Sequence, residues 1–194
     1  MINKKKEIVI NKKKYGSGKT LIIAEAGSNH NQSINIAKKL IDIASKANCD
    51  AIKFQLFQAD KIIQKKYPGW KILKKLELNS KWLDILRKYA HKKNLLFGVS
   101  PFDLSGVKKL QKINVDFIKI ASTEIQDLKL IEMSAKTKKP IILSSGAADL
   151  VDISLANKVV RKYNNNFAFL HCVSIYPAKF SQLNLNMINT MRKF

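Results

Sequence analysis

Six short β-branched runs, each followed by an amphipathic stretch, constrain the fold of this chain more than any other feature. The runs are Leu21–Glu25 (LIIAE), Ala51–Gln55 (AIKFQ), Leu95–Ser100 (LLFGVS), Phe117–Ala121 (FIKIA), Pro140–Ser144 (PIILS) and Phe167–Cys172 (FAFLHC). Helical spacing fills the intervals. Ser33 is placed as an N-cap before a segment whose Ile34, Leu40, Ile41 and Ala44 share one side. Trp82, Leu83, Leu86 and Tyr89 do the same behind Ser80, and SGVKKLQKIN and the stretch from Leu128 to Lys138 follow suit. Strands that alternate with helices predict a parallel sheet with right-handed crossovers.

That pattern fits either a doubly wound sheet or a (β/α)8 barrel, and the polar residues separate the two. Glu25, Gln55, Ser100, Lys119 with Ser122 and Glu124, Ser144 with Ser145, and Ser174 each fall at the C-terminal end of a different run. A doubly wound fold gathers its ligand groups at one switch point, whereas a barrel draws them from most strands around one mouth. The predicted fold is an α/β TIM-type barrel. It is incomplete, because such a barrel needs eight units and about 250 residues. Here 194 residues end after the sixth run and one more segment, LNMINTMRKF. The first and sixth strands would be open edges, so the chain is expected to be a fragment or to be closed by something else. Residues 1–20 are assigned to an N-terminal hairpin and 21–194 to the partial barrel.

Composition narrows the setting. Lysine and arginine number 36 against 14 acidic residues, a formal charge of +22, with 46% of residues hydrophobic. The apolar share excludes a disordered chain, and no run approaches the ~18–20 apolar residues of a membrane span. The basic start, MINKKKEIVINKKK, lacks the apolar stretch of a signal peptide. Cys49 and Cys172 make neither a disulfide framework nor a zinc spacing. A soluble, cytoplasmic, single-domain protein is expected. Its charge suits a polyanion, yet the lysines scatter over every predicted helix and loop, and the abundance of Lys, Asn and Ile matches A/T-rich codon usage. Neither nucleic acid nor membrane is therefore an expected partner. Small anions are, because so many cations concentrate them.

Two lysines sit within the strands themselves. Alternation puts Ala51, Lys53 and Gln55 on one face of AIKFQ, with Ile52 and Phe54 on the other, and Lys119 likewise opposes Ile118 and Ile120. The helix-covered face takes the large apolar residues, which turns both lysines toward the barrel interior. A buried ammonium is costly without an anion. Either a structural pair with Glu25 or Glu124, or a bound, multiply charged small anion, would satisfy it. The Ser144–Gly146 turn ahead of a helix favours the anion, since backbone N–H groups cradle phosphate oxygens there and glycine permits close approach.

Other features are weaker. YGSGKT at Tyr15–Thr20 resembles the tail of a phosphate-binding loop, but Lys13 stands where the full pattern needs glycine, and the segment precedes a strand. It is read as part of the hairpin. His91 is expected on the polar part of a helix, solvated. His171 reads as a satisfied core imidazole, and His30, in GSNHNQ after the first run, is placed at the mouth. The stretch from Leu56 to Asn79 has little helical periodicity and is long for a connection. It is expected to be a lid or substrate loop, or to anchor through Tyr67, Pro68 and Trp70.

IIAEAGSNHN, DAIKFQLFQAD, GVSPFD, IKIASTEIQD, PIILSSGAA and LHCVSIYP, in this order, resemble the sialic acid synthase family from about Leu21 to Phe194. The resemblance implies condensation of phosphoenolpyruvate with an N-acylated amino sugar, such as N-acetylmannosamine, into a nine-carbon acidic sugar. It also implies a TIM barrel, a divalent metal (manganese or magnesium), and a domain-swapped homodimer with an antifreeze-like domain after the barrel. Lys53, Lys119 and Ser122 match positions that hold the phosphoenolpyruvate carboxylate and phosphate, and Ser144 and Tyr176 match others in that pocket. Gln55 and Phe102 match positions near the sugar or reacting centre. Glu25 and Glu124 match carboxylates at that centre, Glu124 being the implied acid/base.

Departures accompany the match. Ser174 stands where the sialic acid branch tends to have Asn, and Ser28 and Ser100 also vary from common family choices. The family's metal-binding histidines match nothing before Phe194, so no metal ligand is expected within this chain, and weak or no activity from it alone. Two rival readings share these residues: another phosphoenolpyruvate-dependent keto-deoxy sugar acid synthase, or a non-catalytic basic remnant that binds through its open edges.

Overall fold

The computed structural model describes residues 7–16 and 18–194. Residues 1–6 of the expected hairpin segment, and Ser17 of YGSGKT, lie outside the described residues. Within them β1 (Ile8–Ile10) and β2 (Lys13–Tyr15) pair antiparallel, Ile8 opposite Tyr15 and Ile10 opposite Lys13. Asn11 and Lys12 close the hairpin with φ of 46° and 66°, the two-residue turn whose twist matches that of its strands.

The alternating units then follow. The first is β3 (Ile23–Gly27), α1 (Ile34–Lys46) and β4 (Ala51–Leu56). Next come α2 (Ala59–Ile62), α3 (Gly69–Leu76), α4 (Leu83–Lys92) and β5 (Leu96–Pro101). After these run α5 (Leu104–Lys112), β6 (Phe117–Ile120), α6 (Leu128–Lys136) and β7 (Ile141–Ser144). The chain ends with α7 (Leu150–Tyr163), β8 (Phe167–Leu170) and α8 (Met187–Met191). The sheet runs β3-β4-β5-β6-β7-β8, parallel throughout. Order in space equals order in sequence, so there is no point at which a doubly wound sheet would reverse. Winding in one direction is barrel geometry, here six βα units of it. Among the described residues no strand pairs with the outer side of β3 or β8, and Leu170 in β8 is 40% exposed.

Local chemistry punctuates the helices. Side chains of Ser33, Asp103, Asp127 and Asp149 cap α1, α5, α6 and α7, satisfying N–H groups that have no partner within the helix. Beyond α1, α4 and α5 the chain turns through Asn48, Asn94 and Asn114, with φ of 54°, 61° and 57°. Glycine usually takes that left-handed place, and asparagine tolerates it better than other side chains do.

Two apolar layers follow from strand alternation. Ile52, Phe54, Phe97, Val99, Ile118, Ile120, Ile141 and Leu143 face outward under the helices, against Ile41, Leu86, Leu110, Ile131 and Val160. Each contributes roughly 1.5–3 kcal/mol by burial. Ala51, Leu96, Phe117 and Ile142 face inward, one from the start of each of four strands, and pack on Ile8, Ile10 and Tyr15 of the hairpin. The hairpin therefore stoppers the N-terminal end of the barrel. Gly98 is required at that level, because a Cβ there would collide with the Phe117 ring.

The Leu56–Asn79 stretch holds two helices, α2 and α3, where little periodicity was expected. No residue of α3 is fully buried, and its half-buried stripe of Trp70, Leu73 and Leu76 spans only two turns, shorter than the window in which helical periodicity stands out. Trp70 Nε1 donates to Asp60 Oδ1 at 3.0 Å, tying α3 to α2. The expected cap at Ser80 moves to Asn79, which caps a short 3-10 turn (Ser80–Trp82) leading into α4. No helix among the described residues is long and apolar enough to cross a membrane.

Candidate anion site at the C-terminal ends of the strands

The inward positions change character two residues up each strand. Above Ile23 comes Glu25, above Ala51 Lys53, above Phe117 Lys119 and above Ile142 Ser144. One level higher, Gln55 lies level with Ser100. An apolar plug thus carries a polar layer directly on top of it, and both lysines belong to that layer. Lys53 is 6% exposed and Lys119 is 8% exposed.

Each ammonium is held by oxygen. Lys53 Nζ contacts Glu25 Oε2, its register neighbour on β3, and donates to Ser100 Oγ at 3.2 Å. The structural ion pair weighed from sequence therefore forms for Lys53. Lys119 Nζ donates to the Ile120 carbonyl at 3.0 Å and to Ser144 Oγ, and among the described residues no carboxylate lies within ion-pair distance of it. Burial first, and then the Lys53 charge, push Lys119 down to about 8 from 10.5. Burial raises the Glu124 carboxyl above its ordinary value, against the Thr123 hydroxyl, which donates to it at 2.7 Å.

Three loops meet beside the lysines. Gly146 N–H donates to Ser122 Oγ at 3.1 Å, and Cys172 Sγ–H donates to Ser144 Oγ at 3.2 Å. A Cβ on Gly146 would lie 2.6 Å from Ser174 Oγ and 3.0 Å from Ser122 Oγ. Only glycine lets both hydroxyls approach the turn this closely. Hydroxyl, thiol and ammonium groups from β6, β7 and just beyond β8 thus converge around Ser144.

The other expected residues divide. Gln55 Oε1 accepts from Ser28 Oγ at 3.2 Å, and the Phe102 ring meets Phe57 edge-on at 5.6 Å. Tyr176 is 95% exposed and stands apart from the cluster. His30 is fully buried; its Nδ1 accepts the Gln32 N–H at 3.1 Å, its Nε2 has no partner, and burial lowers its pKa. His171 Nε2 lies 2.7 Å from the Leu183 carbonyl.

His91 corrects the sequence reading. Its side chain keeps 36% exposure, as the helix position suggests, but it also sits 2.6 Å from the buried Asp116 Oδ2, below the strands and away from the lysines. Its helix position looked polar because the partner comes from another unit. Cys172 ends an apolar run in the sequence, and alternation from Ala168 and Leu170 places it on the inward face.

Comparison with known proteins agrees with the fold. The NeuB family model matches residues 40–194. The N,N'-diacetyllegionaminic acid synthase of Campylobacter jejuni is 40% identical over 191 residues, covering 90% of this chain and 57% of the relative. The chain thus spans little more than half the length of that relative. The crystal structure of the N-acetylneuraminic acid (sialic acid) synthetase of Leptospira borgpetersenii, in complex with citrate, superposes with a TM-score of 0.92 at 35% identity, covering 97% of this chain and 67% of that one. The truncated 3-deoxy-D-arabino-heptulosonate 7-phosphate synthase of Thermotoga maritima shares the fold alone, with a TM-score of 0.71 at 16% identity over 96% of this chain and 64% of that one. With the family model matching most of its length, the chain belongs to the NeuB family.

Proposed function

We propose that this chain carries the phosphoenolpyruvate half of a site that condenses phosphoenolpyruvate with an N-acylated amino sugar of the N-acetylmannosamine type, giving a nonulosonic acid and phosphate. The observation that carries the reading is the pair of buried ammonium groups, Lys53 and Lys119, on strands separated only by β5. Among the described residues a single carboxylate, Glu25, forms an ion pair with either of them, at Lys53. One acid side chain leaves a charge uncompensated, and a ligand bearing both carboxylate and phosphate would compensate it. The capture of the Leptospira relative with citrate, a polycarboxylate, supports the same reading.

In the proposed reaction the enol carbon of phosphoenolpyruvate forms a bond to the open-chain sugar aldehyde. Water adds to the resulting oxocarbenium-like centre, and phosphate leaves with cleavage of the C–O bond. Lys53, Lys119, Ser122 and Ser144 hold the carboxylate and phosphate, with Tyr176 assigned to the same pocket. Glu124 transfers the proton; its raised pKa keeps that proton available nearer neutrality. Glu25 is the second carboxylate of the centre, and Gln55 and Phe102 flank the sugar. Residues 21–194 form the barrel portion, and a cytoplasmic homodimer belongs to the same proposal.

The family reading includes a divalent metal, manganese or magnesium, which would polarise the aldehyde. The described residues do not fit it. No three His, Cys, Asp or Glu side chains among them converge on one point, His91 is committed to Asp116, and His171 lies against Leu183 O. The isolated chain is proposed to bind phosphoenolpyruvate while turning it over weakly or not at all.

Titration calorimetry of the 194-residue chain with phosphoenolpyruvate tests the reading. One saturable site is expected, displaced by inorganic phosphate and weakened about tenfold or more by Lys53→Met or Lys119→Met, the loss of a charge-assisted hydrogen bond. Folded protein that takes up no phosphoenolpyruvate at millimolar concentration, yet binds duplex DNA with steep salt dependence, would overturn it.

A further inference from the structure

The hydrogen bonds around Ser144 extend the anion-site reading, on which the following step rests. A serine hydroxyl has one proton to give and two lone pairs that accept. Both lone pairs of Ser144 are taken. Lys119 Nζ donates from β6, and the Cys172 thiol donates from just beyond β8 at 3.2 Å. Ser144 is 4% exposed, and beyond the Cys172 sulfur, a weak acceptor, its own O–H finds no acceptor among the described residues. Lys119, at 8% exposure, has the same need: two of its three N–H groups reach Ile120 O and Ser144 Oγ, and the third finds no acceptor there. Buried donors of this kind are rarely left unmatched. Two of them side by side point to one acceptor with several lone pairs, an oxyanion.

We propose that Cys172 is a positioning residue of this site, acting through Ser144. By filling the second lone pair, its S–H leaves the Ser144 proton nothing to point at except the ligand. The thiol itself need not touch the anion. It is seated by the turn opposite, since Cys172 Cβ lies 3.1 Å from where a Gly146 side chain would start. With the thiol gone, Ser144 can rotate and offer the ligand a lone pair as readily as a proton, which an anion repels.

Phosphoenolpyruvate titration of a double-mutant cycle tests this. Cys172→Ala is expected to weaken binding by about 3–10-fold, the range of one neutral hydrogen bond. Cys172→Ser keeps a donor in place and is expected to stay within about threefold of wild type. In a Ser144→Ala background, Cys172→Ala should change nothing further, because its effect travels through the missing hydroxyl. Equal losses in both backgrounds, or a Cys172→Ser loss as large as that of alanine, would mean packing alone and would overturn the proposal. Should Cys172→Ala fail to fold, reversible thiomethylation of Cys172 in a Cys49→Ser chain removes the S–H. The expected result is the same weakening, restored by dithiothreitol, and unchanged affinity overturns the proposal. Wild-type protein that binds phosphoenolpyruvate while Cys172→Ala binds equally well sinks this inference alone; wild type that does not bind sinks the parent reading with it.

Discussion

Lys119 stands near enough to Lys53 inside the barrel that, after burial, the charge of the second is the largest influence lowering the pKa of the first, to about 8. Two cations share a dry layer above an apolar plug, and the family's chemistry is proposed to need both. A site of this kind is a local cost to the fold, offset by the apolar layers around it.

That cost should be measurable. The folded pKa of Lys119, about 8, lies below its ordinary 10.5. Between those values the unfolded chain binds more protons, so the contribution of this group to stability rises with pH, and below pH 8 its cost is fully present. Replacing it with an apolar side chain of similar length removes a penalty on the order of 3 kcal/mol at most. Lys119→Met is expected to raise the melting temperature at pH 7 by several degrees, at roughly 2–4 °C per kcal/mol for a chain this size. A fall in melting temperature would show that the hydrogen bonds of Lys119 outweigh its desolvation.

Anion binding should lose strength on the other side of the same titration. A bound anion favours the charged form of Lys119, so binding above pH 8 requires proton uptake. Phosphoenolpyruvate affinity is expected to be level between pH 7 and about 8, then to fall by up to about tenfold per pH unit. Lys119→Arg stays charged over the whole range and should flatten the curve even where it weakens binding overall. Calorimetry across pH 7 to 9.5 reads both.

Strand alternation made the barrel and its inward lysines legible from sequence, because period-two patterning is a local property of AIKFQ and FIKIA. The C-terminal groups of the strands were legible for the same reason. What stayed hidden depends on contacts between units. His91 looked like a solvated helix residue until Asp116, from the loop before β6, came within 2.6 Å. Helix α3 has a half-buried stripe of Trp70, Leu73 and Leu76, but eight residues are too few for its period to stand out among the lysines around it. Tyr176, implied by motif likeness alone, is 95% exposed in a segment that pairs with no strand among the described residues, so nothing local could place it.

Gly146 tests the cradle without touching a charge. An added methyl would meet Ser174 Oγ at 2.6 Å, Ser122 Oγ at 3.0 Å and Cys172 Cβ at 3.1 Å. Two hydroxyls on flexible side chains can turn aside, and a turn residue has little else to disturb. Gly146→Ala is expected to cost stability by only about 1–2 kcal/mol, while phosphoenolpyruvate affinity falls more than tenfold as the hydroxyls leave the anion. Affinity preserved within threefold would place the anion away from the Ser122–Gly146–Ser174 turn.

Asp116 supplies the opposite case, a buried charge that serves the fold. It is 6% exposed and accepts from Phe97 N–H at 2.7 Å and Asn11 Nδ2 at 2.6 Å, with His91 Nε2 at 2.6 Å. Arg87 can only donate, and its Nη1 lies 3.4 Å from His91 Nδ1, so Nε2 carries the proton that goes to Asp116. One carboxylate therefore joins β5, α4 and the turn of the hairpin that stoppers the barrel. Asp116→Ala strands three donors, of which the Phe97 N–H has no route to water. A loss of roughly 2–4 kcal/mol is expected in urea unfolding. At a temperature where the variant stays folded, its phosphoenolpyruvate affinity should match wild type, because Asp116 lies at the N-terminal end of the strands and the lysines lie beyond the apolar layer. An affinity loss comparable to that of Lys119→Met, in folded protein, would mean that the hairpin end and the anion end are coupled, and the separation of fold and site drawn from the layers would fail.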